Sequence, residues 1–194
     1  MKTRALRSSI PAGVIEHSGV EFFKVGSTPY AFYNRQILSY EEFPEWIKEL
    51  VYKRILQKTH ALESLVSWGF VTRDAQIKQF LLCTRSVLDN NPDINSRGKL
   101  QYEEYVPCDK RGGQCDFEGK ICSMTIVLDN GERLTERQVQ VTEKIGQDLP
   151  DKIICNDLGI KQNTLRTHKD DIKRKGLISS KSGIAVLAHQ LKLI

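Results

Sequence analysis

Residues 134–177 decide the fold of the C-terminal third of this chain, and they read LTERQVQVTEKIGQDLPDKIICNDLGIKQNTLRTHKDDIKRKGL. Near the start, Thr135 is followed three residues later by Gln138, which fits a capping box at the N-terminus of a helix. Val141 and Ile145 then fall four residues apart, on one face of that helix. The pattern predicts a first amphipathic helix.

A second helix is predicted over residues 150 to 158. Pro150 suits the first turn of a helix, because the N–H that proline lacks would have no partner there. Ile154 and Leu158 repeat the spacing of four, and residues 159–160 supply a tight turn. A third helix is predicted from residue 162 to about residue 175, with Leu165, His168 and Ile172 on its inner face. Two short helices joined in this way form the outline of a helix-turn-helix.

The outer face of the third helix is predicted to contact DNA. Arg166 can present a bidentate donor pair to guanine, and Thr167 can offer a hydroxyl or a methyl group to a base edge. Lys152, Lys169, Lys173 and Arg174 are better placed to contact phosphates. The alternative is that these are solvated charges on an exposed helix. The predicted DNA-binding residues are Lys152, Lys161, Thr164, Arg166, Thr167, Lys169, Lys173 and Arg174.

This order of signals resembles the LuxR/GerE-type DNA-binding domain, which is also found in NarL/FixJ-like response regulators. The resemblance covers a third of the chain at most. The region 4 of sigma factors shares its first half, but the pair Thr164 and His168 favours the LuxR type. The matching residues are Leu134, Thr135, Arg137, Val141, Ile145, Leu149, Lys152, Ile154, Leu158, Ile160, Thr164, His168, Ile172 and Lys175.

The resemblance implies an all-α four-helix domain that binds double-stranded DNA and regulates transcription. It implies a packing role for His168 and no enzyme activity. Three departures indicate a divergent member with its own target. Asp170 stands where the family often has a Lys or Asn facing DNA, Pro150 replaces the usual Ser cap, and residues 176–177 invert the usual Leu-Gly pair.

The last segment, residues 182–194, is predicted to form the fourth helix. Ile184, Leu187, Ala188 and Leu191 lie on one stripe, which can close the small helical core. The resemblance implies that this helix can also make a dimer contact, and both roles remain open. A symmetric homodimer would match a palindromic site in DNA.

Composition and charge fit a folded cytoplasmic protein. The chain is 40% hydrophobic and 27% charged, which argues against wholesale disorder. No apolar run approaches the roughly 18 to 20 residues that a membrane helix needs. Residues 132–194 hold 12 Lys and Arg against 8 Asp and Glu, whereas the other residues hold 17 against 16. The positive excess therefore lies in the region that would bind phosphates.

The first two thirds of the chain are predicted to be a separate domain. Residues 20–25 and 30–33 have the composition of strands, and helices are predicted from residue 40 to about 58, from 60 to 68 and from 72 to 82. Residues 90–98 form a polar loop, and a linker is predicted at residues 129–131. The predicted organisation is an α+β sensory or assembly domain of unrecognised fold, residues 1–128, followed by the LuxR-type domain, residues 132–194.

Three cysteines, Cys108, Cys115 and Cys122, are spaced seven apart in a glycine-rich stretch. Such a loop can bend so that several thiolates converge on a metal, and Cys83 would be the fourth ligand. Four thiolates suit structural zinc or, as an alternative, an iron–sulfur cluster. Redox-sensing thiols and simple packing also remain open for these cysteines. Cys155, on the second predicted helix, is interpreted as a packing residue.

The leading hypothesis is a sequence-specific DNA-binding transcription regulator with an N-terminal domain stapled by metal. One alternative is a sigma-like or phage-type regulator that contacts RNA polymerase. Another is an iron–sulfur or thiol redox protein. An enzyme would need an acid/base pair in a pocket, but His17 and His60 are isolated in the sequence and no nucleophile motif accompanies them.

Overall fold

The computed structural model describes residues 19–88, 91–111 and 113–194. These residues divide into two compact units. The N-terminal unit takes in the described residues up to Val106 together with Cys115–Ser123, and the C-terminal unit comprises Pro107–Gln114 and Met124–Ile194. Residues 1–18, which the sequence analysis assigns to the first domain, lie outside the described residues, as does Asn90 of the predicted polar loop.

The described part of the N-terminal unit begins with a three-stranded antiparallel sheet. Its strands are β1 (Val20–Val25), β2 (Thr28–Tyr33) and β3 (Gln36–Ser39), in the spatial order β1-β2-β3. Gly26 has φ +60° in the turn between β1 and β2, a conformation that glycine adopts without steric cost. The two predicted strands are present. The third was not predicted, because four residues give too short an alternation to identify.

Helices follow the sheet in the N-terminal unit. A single 3-10 turn (Tyr40–Glu42) leads into α1 (Glu45–Gln57), α2 (Thr59–Ser67) and α3 (Arg73–Thr84). Thr72 caps α3, because its hydroxyl accepts a hydrogen bond of 3.3 Å from the amide of Ala75. The core of the unit combines one face of the sheet with these helices, and its fully buried members include Phe22, Ile47, Leu65 and Phe80. These elements confirm the predicted strands-then-helices order.

A buried ion pair ties α3 to the sheet. Arg85, the residue after α3, is fully buried and donates to Asp93 Oδ1 at 2.9 Å. Asp93 Oδ2 accepts a hydrogen bond of 2.8 Å from the amide of Phe22 in β1. The guanidinium of Arg85 also donates to the carbonyl oxygen of Tyr102 at 3.2 Å. The loop that contains Asp93 is therefore attached to both the helix and the sheet.

The C-terminal unit contains a short hairpin that precedes its helices. The strands β4 (Ile126–Val127) and β5 (Arg133–Leu134) pair antiparallel. Residues 129–131, predicted to be a linker, form the turn of this hairpin: the amide of Leu128 donates to the carbonyl of Glu132, and that of Gly131 donates to the carbonyl of Leu128, each at 2.8 Å. Polar and glycine-rich composition is shared by linkers and tight turns, so the sequence alone did not separate them.

In the described part of the C-terminal unit, the hairpin is followed by four helices: α4 (Glu136–Gly146), α5 (Asp151–Leu158), α6 (Gln162–Lys175) and α7 (Lys181–Gln190). Their apolar faces meet in a small core that includes Val141, Ile154, Leu165, Ile172 and Ile184, all of them buried. The predicted fourth helix, over residues 182–194, ends at residue 190. Within the described ranges, no helix is both long and apolar enough to cross a membrane.

Candidate nucleic-acid interface

A capping box fixes the start of α4 and also connects this helix to α6. The amide of Gln138 donates to Thr135 Oγ1 at 3.4 Å, and the amide of Thr135 donates to Gln138 Oε1 at 3.0 Å. Gln138 Oε1 also accepts a hydrogen bond of 2.9 Å from Lys175 Nζ, near the end of α6. The predicted capping box is therefore present, and its glutamine has a second function in holding α6.

The turn between α5 and α6 has the predicted position. Gly159 ends α5 with φ +62° and ψ +34°, the left-handed conformation that favours glycine at the end of a helix. The amide of Ile160 donates to the carbonyl of Cys155 at 3.0 Å, which satisfies one of the last carbonyl groups of α5. Pro150 is the cap residue of α5, so the helix itself begins at Asp151. This geometry lets α6 start two residues after the turn.

One face of α6 is buried and the other is exposed. Leu165 and Ile172 are fully buried and His168 is half-buried, so the predicted inner face is the one that packs on the unit. The exposed face carries a stripe of residues at spacings of three and four, and we call it the outer stripe of α6. The outer stripe consists of Asn163, Arg166, Thr167, Asp170 and Arg174.

Three of the predicted phosphate-binding cations are engaged in ion pairs within the unit. Lys169 Nζ lies 2.6 Å from Asp151 Oδ2, at the first turn of α5. Lys173 Nζ lies 2.7 Å from Asp170 Oδ1. Arg174 has two longer contacts, 3.6 Å to an oxygen of Asp171 and 3.9 Å to an oxygen of Glu132. These side chains have structural contacts that the sequence did not predict.

The other predicted cations are exposed and carry no such contact. Lys152, Lys161 and Arg166 are all exposed, and none of them forms an ion pair within 4 Å in the part of the chain that the structure describes. Lys152 lies in the first turn of α5, and Lys161 is the cap residue of α6. Lys161 therefore lies at the N-terminal end of α6, the helix that enters the major groove in a helix-turn-helix.

The two threonines of the predicted site have different surroundings. Thr167 Oγ1 donates to the carbonyl oxygen of Asn163 at 3.1 Å, one turn earlier in α6. Its hydroxyl proton is thus used within the helix, while the methyl group and the acceptor capacity of the oxygen remain for a base edge. Thr164 is exposed in the first turn of α6. Both threonines are accessible on the side of α6 that faces away from the core.

Asp170 has an altered ionisation. The hydrogen bond from Lys173 is the main cause that lowers the pKa of Asp170 below its ordinary value, and the charges of Arg166 and Lys169 act in the same direction. The outer stripe therefore carries a negative charge between its two arginines at neutral pH. Asn163 and Asp170 are the members of the stripe that were not predicted as DNA-binding residues. The spacing of 163, 166, 167, 170 and 174 is the signal that could have identified them.

The four cysteines of the predicted metal site belong to different units. Cys83, Cys115 and Cys122 are half-buried residues of the N-terminal unit, whereas Cys108 is exposed in the C-terminal unit. Among the described residues, the only group of three or more candidate ligands with atoms within 4.8 Å of one another is Glu21, Asp93 and Glu104. Cys83, Cys115 and Cys122 therefore do not have their three Sγ atoms within that distance of one another, and the metal site stays a prediction.

Individual cysteines have other contacts. Cys83 packs against the core of the N-terminal unit, and its Sγ accepts a hydrogen bond of 3.2 Å from Gln79 Nε2. Cys155 is 8% exposed within α5, in agreement with its interpretation as a packing residue. The burial of Cys155 is that of a small core side chain.

The geometry of the C-terminal unit defines a helix-turn-helix, with α5 bracing α6 and the outer stripe of α6 turned to solvent. Residues 132–188 match the family described as "GerE: Bacterial regulatory proteins, luxR family". The C-terminal region thus carries a luxR-family domain, as the sequence predicts, and the match supports a DNA-binding transcription regulator. Comparisons with curated proteins and with solved structures gave no match.

Proposed function

We propose that this protein is a sequence-specific DNA-binding regulator of transcription, acting in the cytoplasm without enzyme activity of its own. The observation that carries the proposal is the luxR-family match over residues 132–188, on a unit whose α6 exposes a polar and charged stripe. In a helix-turn-helix, such a helix enters the major groove and reads base edges from its exposed side.

The distribution of contacts supports different functions for different cations. Arg166 is exposed on the outer stripe and can donate two parallel hydrogen bonds to guanine O6 and N7. Lys152 and Lys161, at the N-terminal ends of α5 and α6, would contact phosphates together with the backbone amides there. Lys169 and Lys173 would contact phosphates only if they gave up their present carboxylate partners.

The experiment that tests the proposal is selection of duplexes with a random central segment by the full-length chain. A selected consensus, together with binding that falls steeply as salt rises, is expected for a sequence-specific regulator. Arg166→Ala should change the selected consensus, because it removes a base contact, whereas Lys152→Ala should weaken binding to all duplexes about equally. A wild-type chain that enriches no sequence would contradict the proposal.

The N-terminal unit is proposed to sense a signal or to assemble the protein, and the regulator is proposed to act as a homodimer. Mass measurement in solution tests the dimer, and retention of RNA polymerase on the immobilised full-length chain tests a polymerase-contacting regulator.

The metal hypothesis stays a prediction with its own test. The chain would be purified anaerobically, and zinc, iron and acid-labile sulfide would be measured per chain. About one zinc would support a structural staple, while iron with sulfide would support a cluster. If neither zinc nor iron is found, redox-sensing thiols or simple packing remain as interpretations of the cysteines.

A further inference from the structure

Asp170 lies at the centre of the exposed face of α6. At about 100° per residue along a helix, Asn163, Asp170 and Arg174 project within roughly 40° of one another. That direction is opposite to the one in which the buried Leu165 and Ile172 project. The side chain of Asp170 is 58% exposed. If α6 enters the major groove, this position faces the base edges rather than the phosphates at the rim of the groove.

The carboxylate of Asp170 is charged and keeps acceptor capacity. Lys173 Nζ contacts Oδ1 at 2.7 Å and stabilises the ionised form, so the pKa of Asp170 is lowered. An ionised carboxylate has no donor and offers about four acceptor positions on its two oxygens. One contact with Lys173 therefore does not saturate it. Lys173 also limits the repulsion between Asp170 and DNA, because it lies beside the carboxylate with the opposite charge.

An acceptor-only group distinguishes among the four bases in the major groove. Guanine presents only the acceptors O6 and N7 there, and thymine presents the acceptor O4 beside a methyl group. Adenine has a donor at N6 but an acceptor at the neighbouring N7, whereas cytosine presents a donor at N4. We propose that Asp170 selects cytosine by accepting a hydrogen bond from its N4 amino group. This inference rests on the proposed function, since it requires α6 to lie in the major groove.

The separation of Arg166 and Asp170 along α6 predicts the spacing of the two bases that they would contact. Arg166 precedes Asp170 by four residues, which is about 6 Å along a helix axis, and successive bases on one strand are about 3.4 Å apart. Arg166 on guanine and Asp170 on cytosine would therefore read positions about two base pairs apart. Half-sites should contain a guanine and a cytosine at that separation, on the same strand or on opposite strands.

The test is selection of duplexes with a random central segment by the full-length wild-type chain and by its Asp170 variants. Wild type should enrich a consensus with one position restricted to cytosine. Asp170→Ala should lose the preference at that position alone, with discrimination falling roughly tenfold. Asp170→Asn should shift the preference toward adenine, because an amide can pair with both N6 and N7 of adenine.

Asp171→Asn is the matched control, since it removes one negative charge from the adjacent position, on another face of α6. It should raise general affinity for all duplexes, because it removes a negative charge and frees Arg174, which Asp171 contacts at 3.6 Å, and it should leave the preference at the cytosine position unchanged. An unchanged consensus in Asp170→Ala would overturn the inference while leaving the proposed function intact. Failure of wild type to enrich any sequence would overturn both, so the two failures are distinguishable.

Discussion

Lys169 Nζ lies 2.6 Å from Asp151 Oδ2, and this pair fastens α6 to the first turn of α5. The side chain of Lys169 is only 19% exposed, so its charge is held close to the unit rather than displayed to solvent. The sequence predicts a phosphate contact for Lys169, whereas the structure gives the residue a partner on the neighbouring helix. If α6 binds DNA as proposed, Lys169 would also act by positioning this helix against α5.

We expect Lys169→Ala to destabilise the α5–α6 pair by about 0.5 to 1 kcal/mol, the upper range for a partly exposed ion pair. Amide hydrogen exchange of α5 and α6 would measure this, since it reports the local free energy of opening in a protein of two units. Asp151→Ala and the double variant complete a mutant cycle. Additive effects of the two substitutions would contradict a direct coupling between the residues.

The salt dependence of DNA binding should separate the exposed cations from the paired ones. Lys152→Ala should reduce the slope of log affinity against log salt concentration by about one unit, because one phosphate contact is lost. Lys144→Ala is the control, as Lys144 Nζ on α4 is paired with Asp157 at 2.8 Å. We expect its slope to equal that of wild type. Equal slopes for all three proteins would mean that Lys152 does not contact phosphate.

The features of the C-terminal unit that could be predicted are local in sequence. The capping box of Thr135 and Gln138 lies within three residues, and the turn at Gly159 is determined by one left-handed glycine. The buried face of α6 follows from helical spacing. The partners of its cations could not be predicted, because the pair of Lys169 and Asp151 depends on how α5 and α6 pack.

The cysteine prediction shows the same limit. Regular spacing along the chain indicates that Cys108, Cys115 and Cys122 could converge, but convergence depends on the path of the backbone. Among the described residues, the group of candidate ligands with atoms within 4.8 Å of one another is Glu21, Asp93 and Glu104, while the cysteine site stays a prediction. Glu21 lies 72 residues before Asp93, and Asp93 lies 11 residues before Glu104. No spacing rule could therefore have grouped them.

The buried pair of Arg85 and Asp93 should be critical for the N-terminal unit. Arg85→Met removes the guanidinium but leaves the carboxylate of Asp93, which is 1% exposed, in a nearly dry site. We expect a loss of about 3 to 5 kcal/mol in the stability of this unit, as for other broken buried pairs. Denaturant unfolding monitored by hydrogen exchange in β1 and α3 would measure it.

The control for this prediction is Arg73→Met. Arg73 is paired with Glu45 at 2.7 Å, but both side chains are more than a third exposed. Its substitution should cost much less than Arg85→Met, because water solvates the remaining carboxylate. A similar cost for Arg85→Met and Arg73→Met would contradict the importance of burial.

The close approach of α4 and α7 should depend on Gly146. A Cβ atom at this position would lie 2.6 Å from Ala188 Cβ and 2.8 Å from Ile194 Cδ1. We expect Gly146→Ala to destabilise the C-terminal unit by about 1 to 3 kcal/mol, even though alanine favours helix formation. Hydrogen exchange in α4 would measure the loss. The double variant Gly146→Ala/Ala188→Gly should recover part of the lost stability. If it recovers none, the destabilisation does not come from the contact with Ala188.

Leu177 should carry backbone strain that glycine would relieve. It has φ +53° although it is not glycine, while the preceding Gly176 has an ordinary helical φ of −80°. The inversion noted in the sequence thus puts a leucine where helix ends favour glycine. Leu177 is 81% exposed, so its side chain contributes little packing. The left-handed conformation costs an L-residue about 1 to 2 kcal/mol. Glycine avoids this cost but loses extra chain entropy on folding, which costs about 0.5 to 1 kcal/mol.

Leu177→Gly should therefore be more stable than Leu177→Ala by about 0.5 to 1 kcal/mol. The two variants remove the same side-chain contacts and differ only in the Cβ atom, so their difference equals the strain less the extra chain entropy of glycine. Hydrogen exchange of the amides in α6 and α7 would measure the difference, because Leu177 joins these two helices. An alanine variant as stable as the glycine variant would show that the strain at Leu177 is no larger than the extra chain entropy that glycine loses on folding.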